Sequence, residues 1–259
     1  MDLGIAGRKA IVCASSKGLG RACAASLAEA GCEVVINGRN RDALESAAAE
    51  LRKASGAKVI AVAADVSTPD GQTALLEACP QPDILVNNNA GPPFRDFREL
   101  TRQQIIDGVI ANMAVAIELT QKAIDPMVKR KFGRIVNITS GTVKAPLFGL
   151  DLSSGARAGL TAFMAGVARS VAGANVTINF MQPGAFATDR LQSNMEMTAT
   201  KRGITVEQAS KERMATIPAK RFGTADEFGA MCAFLCSTHA GYITGQNLLL
   251  DGGTFPGAF

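Results

Sequence analysis

Short apolar segments alternate with segments of helical periodicity along this chain, and this alternation restricts its fold more than any other feature. Continuous apolar runs such as Val34–Ile36 are typical of strands buried on both faces. Because a helical segment follows each run, we expect a doubly wound α/β fold: a mostly parallel seven-stranded sheet, helices on both faces and three layers. The predicted strands are Ala10–Ala14, Glu33–Asn37, Val59–Ala63, Ile84–Asn87, Arg134–Thr139, Val176–Phe180 and Asn247–Leu250.

The length of 259 residues and the hydrophobic content of 47% allow one large core. An α/β domain of this size is commonly one unit, so we expect a single domain over residues 1–259. The longest departure from the alternation is the polar, methionine-bearing segment 187–218. It predicts a helical insertion between the sixth and seventh strands.

Composition argues against several classes of partner. The net charge is +4, and Lys and Arg are spread along the chain without the basic block that nucleic acid or a membrane surface would need. No segment is long and uncharged enough to span a membrane, and residues 1–12 have no apolar run of signal-peptide length, so we expect a cytoplasmic protein. The six cysteines lack paired metal-ligand spacing and predict buried structural thiols with no metal site.

A glycine-rich turn, Cys13–Gly20, directly follows the first predicted strand. Glycines at such a turn bring the N–H groups at the start of a helix against a pyrophosphate. Its place at the start of a βαβ pattern makes the turn a much stronger sign of a dinucleotide site than glycines alone. The predicted contacts are Ser15, Ser16, Lys17, Gly18, Leu19 and Gly20.

The second predicted strand ends in Asn37-Gly38-Arg39, without an acidic residue. NAD-preferring domains usually hold the ribose 2′-hydroxyl with Asp or Glu at this tip. Arg39 and Lys17 together would neutralise a 2′-phosphate, so the sequence favours NADP(H) over NAD(H). The alternative is that each is a solvated surface cation. That explanation suits either residue alone, but it is weaker for two cations at these two particular positions.

Further motifs follow in a regular order. They are Asp65-Val66, Asn87–Gly91, Asn112, Ser140 at the end of Val136–Ser140, Pro183-Gly184 with Thr188, and the C-terminal pair 240–245 and 251–253. Together with the glycine turn they resemble the short-chain dehydrogenase/reductase family over essentially the whole chain. They look most like the subgroup named for β-ketoacyl-carrier-protein reductases, which implies a Rossmann fold.

The resemblance also implies roles for individual residues. Asp65 and Val66 would contact adenine, and Asn112 would be the structural and catalytic Asn. Ser140 would polarise the substrate. Implied cofactor contacts further along the chain are Asn88, Ala90, Gly91, Pro183, Gly184 and Thr188. Two of these cofactor-binding motifs depart from the family pattern: Ala14 replaces the first glycine of the turn, and one extra Asn leaves the register of Asn87–Gly91 open.

The family's catalytic Tyr and Lys are absent. Counting thirteen positions from Ser140 leads to Ser153, and four more lead to Arg157, whereas the single Tyr is Tyr242. A serine hydroxyl is a far weaker acid than a phenol, and Arg stays protonated, so it cannot relay a proton as Lys can. Ser140, Ser153 and Arg157 would then polarise an oxygen instead of protonating it, and Arg157 would also reach the nicotinamide ribose.

The substitutions resemble a natural branch of the family that also carries a Lys-x-Pro stretch, here Lys144-Ala145-Pro146, and a Gly-Pro-Pro, here Gly91-Pro92-Pro93. Lys144 is therefore one candidate for a replacement proton donor. The alternative is a solvated loop lysine.

Two functional hypotheses follow. The first is an NADP(H)-dependent oxidoreductase that reduces a carbonyl, such as a 3-oxoacyl thioester, or the β-carbon of a conjugated carbonyl. The second is a non-redox or catalytically weak member of the family that binds NADP(H) as a regulatory subunit or lyase-like enzyme. In either case the segment 187–218 is expected to cover a small-molecule substrate, with Met195, Met197 and Met214 forming an adaptable apolar wall. The resemblance implies a homotetramer or homodimer.

Overall fold

The computed structural model describes residues 1–258, and its centre is one parallel sheet. The strands are β1 (Lys9–Val12), β2 (Glu33–Gly38), β3 (Val59–Ala63), β4 (Ile84–Asn87), β5 (Gly133–Ile138), β6 (Val176–Pro183) and β7 (Asn247–Leu250). They lie in the order β3-β2-β1-β4-β5-β6-β7, with every neighbouring pair parallel. This confirms the predicted doubly wound fold, in which the chain runs outward from β1 to one edge and then from β4 to the other.

The helices lie on both sides of this sheet. They are α1 (Gly18–Glu29), α2 (Arg41–Ser55), α3 (Pro69–Ala78), α4 (Arg102–Val109), α5 (Val115–Arg130), α6 (Asp151–Val171), α7 (Asp189–Arg202), α8 (Val206–Ala215) and α9 (Ala225–Cys236). One turn of π-helix, Ile110–Ala114, joins α4 to α5. The segment 187–218 contains α7 and α8, in which Met195 is buried and Met197 is exposed.

Alternate residues of a strand supply the two halves of the core. In β1, Val12 packs with α1 and α9 on one face, and Ile11 packs with α5 and α6 on the other. Burying an aliphatic side chain of this size stabilises a fold by roughly 1.5–3 kcal/mol. The strands are therefore covered on both faces, as their continuous apolar runs predict.

Two strand boundaries differ from the prediction by more than one residue, each for a physical reason. β1 ends at Val12 and not at Ala14, because Ala14 adopts a left-handed backbone with φ of +45° that leaves the sheet. β6 continues from Phe180 to Pro183, because β7 pairs with those four residues.

The six cysteines are buried, as predicted. Burial raises the pKa of Cys13 and of Cys32 to about 12, so these thiols stay protonated at neutral pH. Among residues 1–258, no helix has the length and apolar character needed to cross a membrane.

Candidate active site

The turn after β1 has a shape that requires glycine. Gly18 has a φ of +59°. A Cβ at Gly20 would lie 2.5 Å from the carbonyl oxygen of Ala14 and 2.8 Å from Nδ2 of Asn88, so any side chain there would displace the turn. Ala14 has a positive φ without being glycine, which costs roughly 1–2 kcal/mol.

The hydroxyl of Ser15 is used inside the protein. Ser15 is fully buried; its Oγ donates to the carbonyl of Val12 at 2.6 Å and accepts from the backbone N–H of Asn37 at 3.0 Å. The buried Asn37 side chain in turn accepts from the N–H of Ala14 and donates to the carbonyls of Val62 and Ala64. Asn37 is therefore a structural residue that joins the turn to β3, and the end of β2, Asn37-Gly38-Arg39, carries no carboxylate.

The start of α1 is electropositive. Within the described chain the helix has no side-chain cap and no acidic residue in its first turn, so its N–H groups and dipole are available to an anion. Lys17, at the N-cap, and Arg39, after β2, are both exposed. Within residues 1–258 neither forms an ion pair, so both positive charges are available to an anion.

The implied adenine contacts differ from each other. Asp65 lies after β3, and one of its carboxylate oxygens accepts from the N–H of Ser67 at 2.9 Å. Val66 is buried in the core, so its side chain packs against protein.

Three consecutive asparagines, Asn87 at the end of β4 and the two residues that follow it, each have a different hydrogen-bond partner. Nδ2 of Asn87 donates to Oδ1 of Asn137 on β5 at 2.9 Å, and Nδ2 of Asn88 donates to the carbonyl of Ala14 at 3.2 Å. Asn89 donates to the hydroxyl of Ser67 and to the carbonyl of Ala111. The three amides therefore join β4 to β5, to the glycine turn and to the π-helix, and they position Ala90 and Gly91 beside the cleft.

Asn112 lies in the π-helical turn, a feature frequently found at functional sites. It is buried, and its Nδ2 donates to the carbonyl of Gly108 at 3.1 Å. Gly108 packs under the side chain of Leu152, which holds this turn against α6.

A cavity of about 20 Å³ connects Asn112 to Arg157 and to the paired Asn87 and Asn137. Oδ1 of Asn87, Oδ1 of Asn112 and Nδ2 of Asn137 are buried and have no hydrogen-bond partner within residues 1–258. The cavity has the volume and the polar lining that one water molecule needs.

Ser153 and Arg157 lie one turn apart on α6 and are both buried. Nε of Arg157 donates to Oγ of Ser153 at 3.2 Å, and Nη1 donates to the carbonyl of Ile138, the last residue of β5, at 2.7 Å. Burial, assisted by the positive charge of Arg190, lowers the pKa of Arg157 to about 10. The guanidinium stays charged at neutral pH, and within the described residues no carboxylate neutralises it.

Ser140 lies two residues after Ile138, the end of β5, whose carbonyl accepts from Arg157. It is half-buried in extended backbone, and its Oγ accepts from the backbone N–H of Thr142 at 3.1 Å and from the Thr142 hydroxyl at 2.9 Å. Lys144, half-buried on the same loop, has its ammonium 5.7 Å from the centre of the Phe255 ring.

The loop after β6 closes the cleft against the glycine turn. The N–H of Gly184 donates to the carbonyl of Leu250 at 2.8 Å, so the chain leaves Pro183 in contact with β7. Thr188 caps α7, and a Cβ at Gly18 would lie 4.0 Å from its methyl group. The turn and this loop are therefore opposite walls of one cleft.

A family model described as Enoyl-(Acyl carrier protein) reductase matches residues 13–254. The chain belongs to the short-chain dehydrogenase/reductase family. The NADPH-dependent reductase BacG of Bacillus subtilis (strain 168) is 32% identical over 252 residues, 95% of this chain and 97% of that protein. The 3-oxoacyl-[acyl-carrier-protein] reductase FabG of Aquifex aeolicus (strain VF5) is 30% identical over 259 residues, 98% of this chain and 100% of that protein.

A solved member of the family has the same architecture. L-sorbose reductase from Gluconobacter frateurii, complexed with NADPH and L-sorbose, superposes with a TM-score of 0.93 over 98% of each chain at 29% identity. The family resemblance drawn from the sequence motifs is confirmed.

Two residues of this short-chain dehydrogenase/reductase site escaped the sequence prediction. Asn137 is a polar residue within a buried strand, and that contrast is the signal that could have revealed it. Arg190 is a cation in the first turn of α7, where the helix dipole disfavours positive charge. Its guanidinium lies against Gly91 on the far wall of the cleft.

Proposed function

We propose that this protein is an NADP(H)-dependent reductase that adds hydride to a conjugated carbonyl compound. The observation that carries the proposal is the Ser153–Arg157 pair, in which the buried guanidinium donates a hydrogen bond to the serine hydroxyl. The two residues lie at the positions where the family resemblance implies Tyr and Lys. The pair polarises an oxygen and does not readily release a proton.

The cofactor assignment rests on the cleft itself. Gly20 allows the turn to pack tightly against Ala14 and Asn88, the start of α1 is uncapped, and the exposed Lys17 and Arg39 would bind a 2′-phosphate. BacG is NADPH-dependent by name, and the L-sorbose reductase structure holds NADPH. When bound, NADPH supplies the hydride. Gly91, Gly184 and Thr188 would face its nicotinamide half.

The residues of the catalytic end stabilise developing negative charge. Arg157 keeps its positive charge in a place from which water is largely excluded, so its field on a nearby oxygen is stronger than in solvent. The hydroxyls of Ser140 and Ser153 would donate to that oxygen. Removing one such donor typically lowers the rate by roughly 10²–10³-fold.

The atypical site favours conjugated over simple carbonyls for a chemical reason. Hydride addition to a ketone leaves a strongly basic alkoxide that must take a proton at oxygen, a step for which a positioned acid contributes roughly 10²–10⁴-fold. Hydride addition to the β-carbon of an enone leaves an enolate, which Arg157 can stabilise and solvent can protonate at the α-carbon. Such a reaction needs polarisation but no tyrosine.

The test is NADPH oxidation measured on a panel of enones, simple ketones and 3-oxoacyl thioesters. We expect turnover of enones, a loss of roughly 10²–10³-fold in Arg157→Gln, and wild-type rates in Arg169→Gln, which removes an exposed cation from the same helix. Tight NADPH binding with no turnover of any compound would instead favour a non-redox member of the family.

Assembly is part of the same proposal. Ile105, Ile106, Val109 and Ile110 are exposed along α4 and the π-helix, and Phe163 is exposed on α6. Exposed apolar side chains gathered on neighbouring helices mark an interaction surface, and we assign it to the homodimer or homotetramer that the sequence predicts. Residues 1–259 would form one domain, with α7 and α8 covering the substrate. Light scattering on the purified protein measures the assembly.

A further inference from the structure

Arg190 reaches across the cleft. It projects from the first turn of α7, and a Cβ at Gly91 would lie 3.0 Å from its Nη1 and 3.1 Å from its Nη2. Gly91 follows β4 on the opposite wall, so the guanidinium lies within contact distance of a residue that has no side chain to displace it. Both terminal nitrogens are about equally near this position, so the end of the guanidinium lies beside Gly91.

Arg190 is exposed to solvent. In the part of the chain that the structure describes, Arg190 forms no ion pair, whereas Arg202 at the other end of α7 pairs with Glu212 of α8 at 2.6 Å. The field of Arg190 acts on Arg157, as its contribution to the lowered pKa of Arg157 shows. Two cations therefore lie near each other, and no ion pair within residues 1–258 neutralises either of them.

Like charges held this way are unfavourable unless an anion joins them. We propose that Arg190 binds a carboxylate of the substrate, so that the protein acts on acidic carbonyl compounds; this substrate class rests on the proposed reductase function. A guanidinium fork matches a carboxylate with two parallel hydrogen bonds, which fixes orientation as well as binding.

The pyrophosphate of the cofactor is the other anion that enters the cleft. It already has a partner in the uncapped start of α1 and the glycine turn, on the wall beside Thr188. Arg190 lies instead beside Gly91, which would face the nicotinamide half of the cofactor, and its charge contributes to the lowered pKa of the buried Arg157. The position therefore favours a group on the substrate.

The experiment measures binding and needs no turnover, so it stands even if the protein catalyses no reduction. The protein is saturated with NADP⁺ and titrated calorimetrically with 3-benzoylacrylate, 4-oxo-4-phenylbutanoate and the methyl ester of each. Wild type, Arg190→Gln, Arg190→Lys and Arg202→Gln are compared, the last removing an equal charge from the far end of α7. The Kd of NADPH is measured for all four by cofactor fluorescence.

We expect wild type and Arg202→Gln to prefer each acid over its ester by roughly 10- to 100-fold, the range of a charge-assisted hydrogen bond. Arg190→Gln should lose that preference, Arg190→Lys should keep part of it, and the Kd of NADPH should change less than about twofold. Acids and esters that bind wild type equally would overturn the proposal. So would an Arg190→Gln variant that keeps the preference, or one whose main defect is weakened NADPH binding.

Discussion

The half of the cleft built on β1 to β3 and the half built on β4 to β6 are held together by different kinds of contact. In the first, the shape of the backbone decides: a side chain at Gly20 would meet the carbonyl of Ala14, and the amide of Asn37 joins the turn to the backbone of β3. In the second, Ser153 and Arg157 occupy the positions where the family resemblance implies Tyr and Lys, inside an intact frame of helix and strand. The residues proposed to bind the 2′-phosphate and those proposed to act on the substrate thus lie in different halves, so we expect that each function can be changed without the other.

The largest expected effect comes from restoring the family's Tyr and Lys in the β4–β6 half. The double variant Ser153→Tyr with Arg157→Lys is expected to raise ketone reduction by roughly 10²–10⁴-fold, because it supplies a positioned general acid. Initial rates of NADPH oxidation with a simple ketone measure the effect. Ser153→Phe with Arg157→Lys is the matched control, since it adds the ring without the hydroxyl. Equal rates in both double variants would contradict the assignment of positions 153 and 157.

The first half can be tested through its cations. Lys17→Gln with Arg39→Gln is expected to raise the Kd of NADPH by roughly 10- to 100-fold while leaving the Kd of NADH nearly unchanged, because only the 2′-phosphate loses its partners. Titration by cofactor fluorescence gives both constants. Lys53→Gln, an exposed cation at the far end of α2, serves as the control. A parallel loss for NADH would show that the pair does not read the phosphate.

The pH dependence sharpens the role of Arg157. Because its pKa is lowered to about 10 in the folded protein, the cation should lose its proton as the pH rises through that value. We expect kcat/KM for an enone to fall by about tenfold per pH unit above pH 10, where the electrophile becomes neutral. The sign for stability is opposite: the unfolded state binds the proton more tightly, so stability gains from this group as pH rises from about 10 towards 12.5. An activity profile that stays flat through pH 10 would exclude a charged Arg157 from the chemistry.

The smallest expected effect concerns Ala14. Replacing it with glycine removes the cost of a left-handed alanine, partly offset by the greater freedom of glycine in the unfolded chain, so the free energy of unfolding should rise by about 0.5–1 kcal/mol. Thermal unfolding measures the change. Ala49→Gly, on the exposed side of α2, should instead lower stability by about 1 kcal/mol. If Ala14→Gly also lowers it, the turn is not strained at Ala14.

Most of the fold was predictable because it depends on local patterns. Three strands, β3, β4 and β7, have the predicted boundaries, and the others differ only at their ends. Those ends depend on partners far along the chain: β6 is prolonged by pairing with β7, and β1 is cut short by the turn that Asn88 and Asn37 hold. Periodicity carries no information about such partners.

The candidate site residues follow from residue type and order in the sequence, but their contacts do not. The sequence alone predicted the alternating sheet, the glycine turn, the missing acid at the tip of β2 and the exchange of Tyr and Lys for Ser153 and Arg157, because each is a property of residue type and spacing. Only the tertiary structure showed that the hydroxyl of Ser15 is occupied within the turn, that Lys144 lies beside Phe255, and that Arg190 crosses to Gly91. These contacts join residues separated by up to about a hundred positions, and packing in three dimensions decides which of them meet.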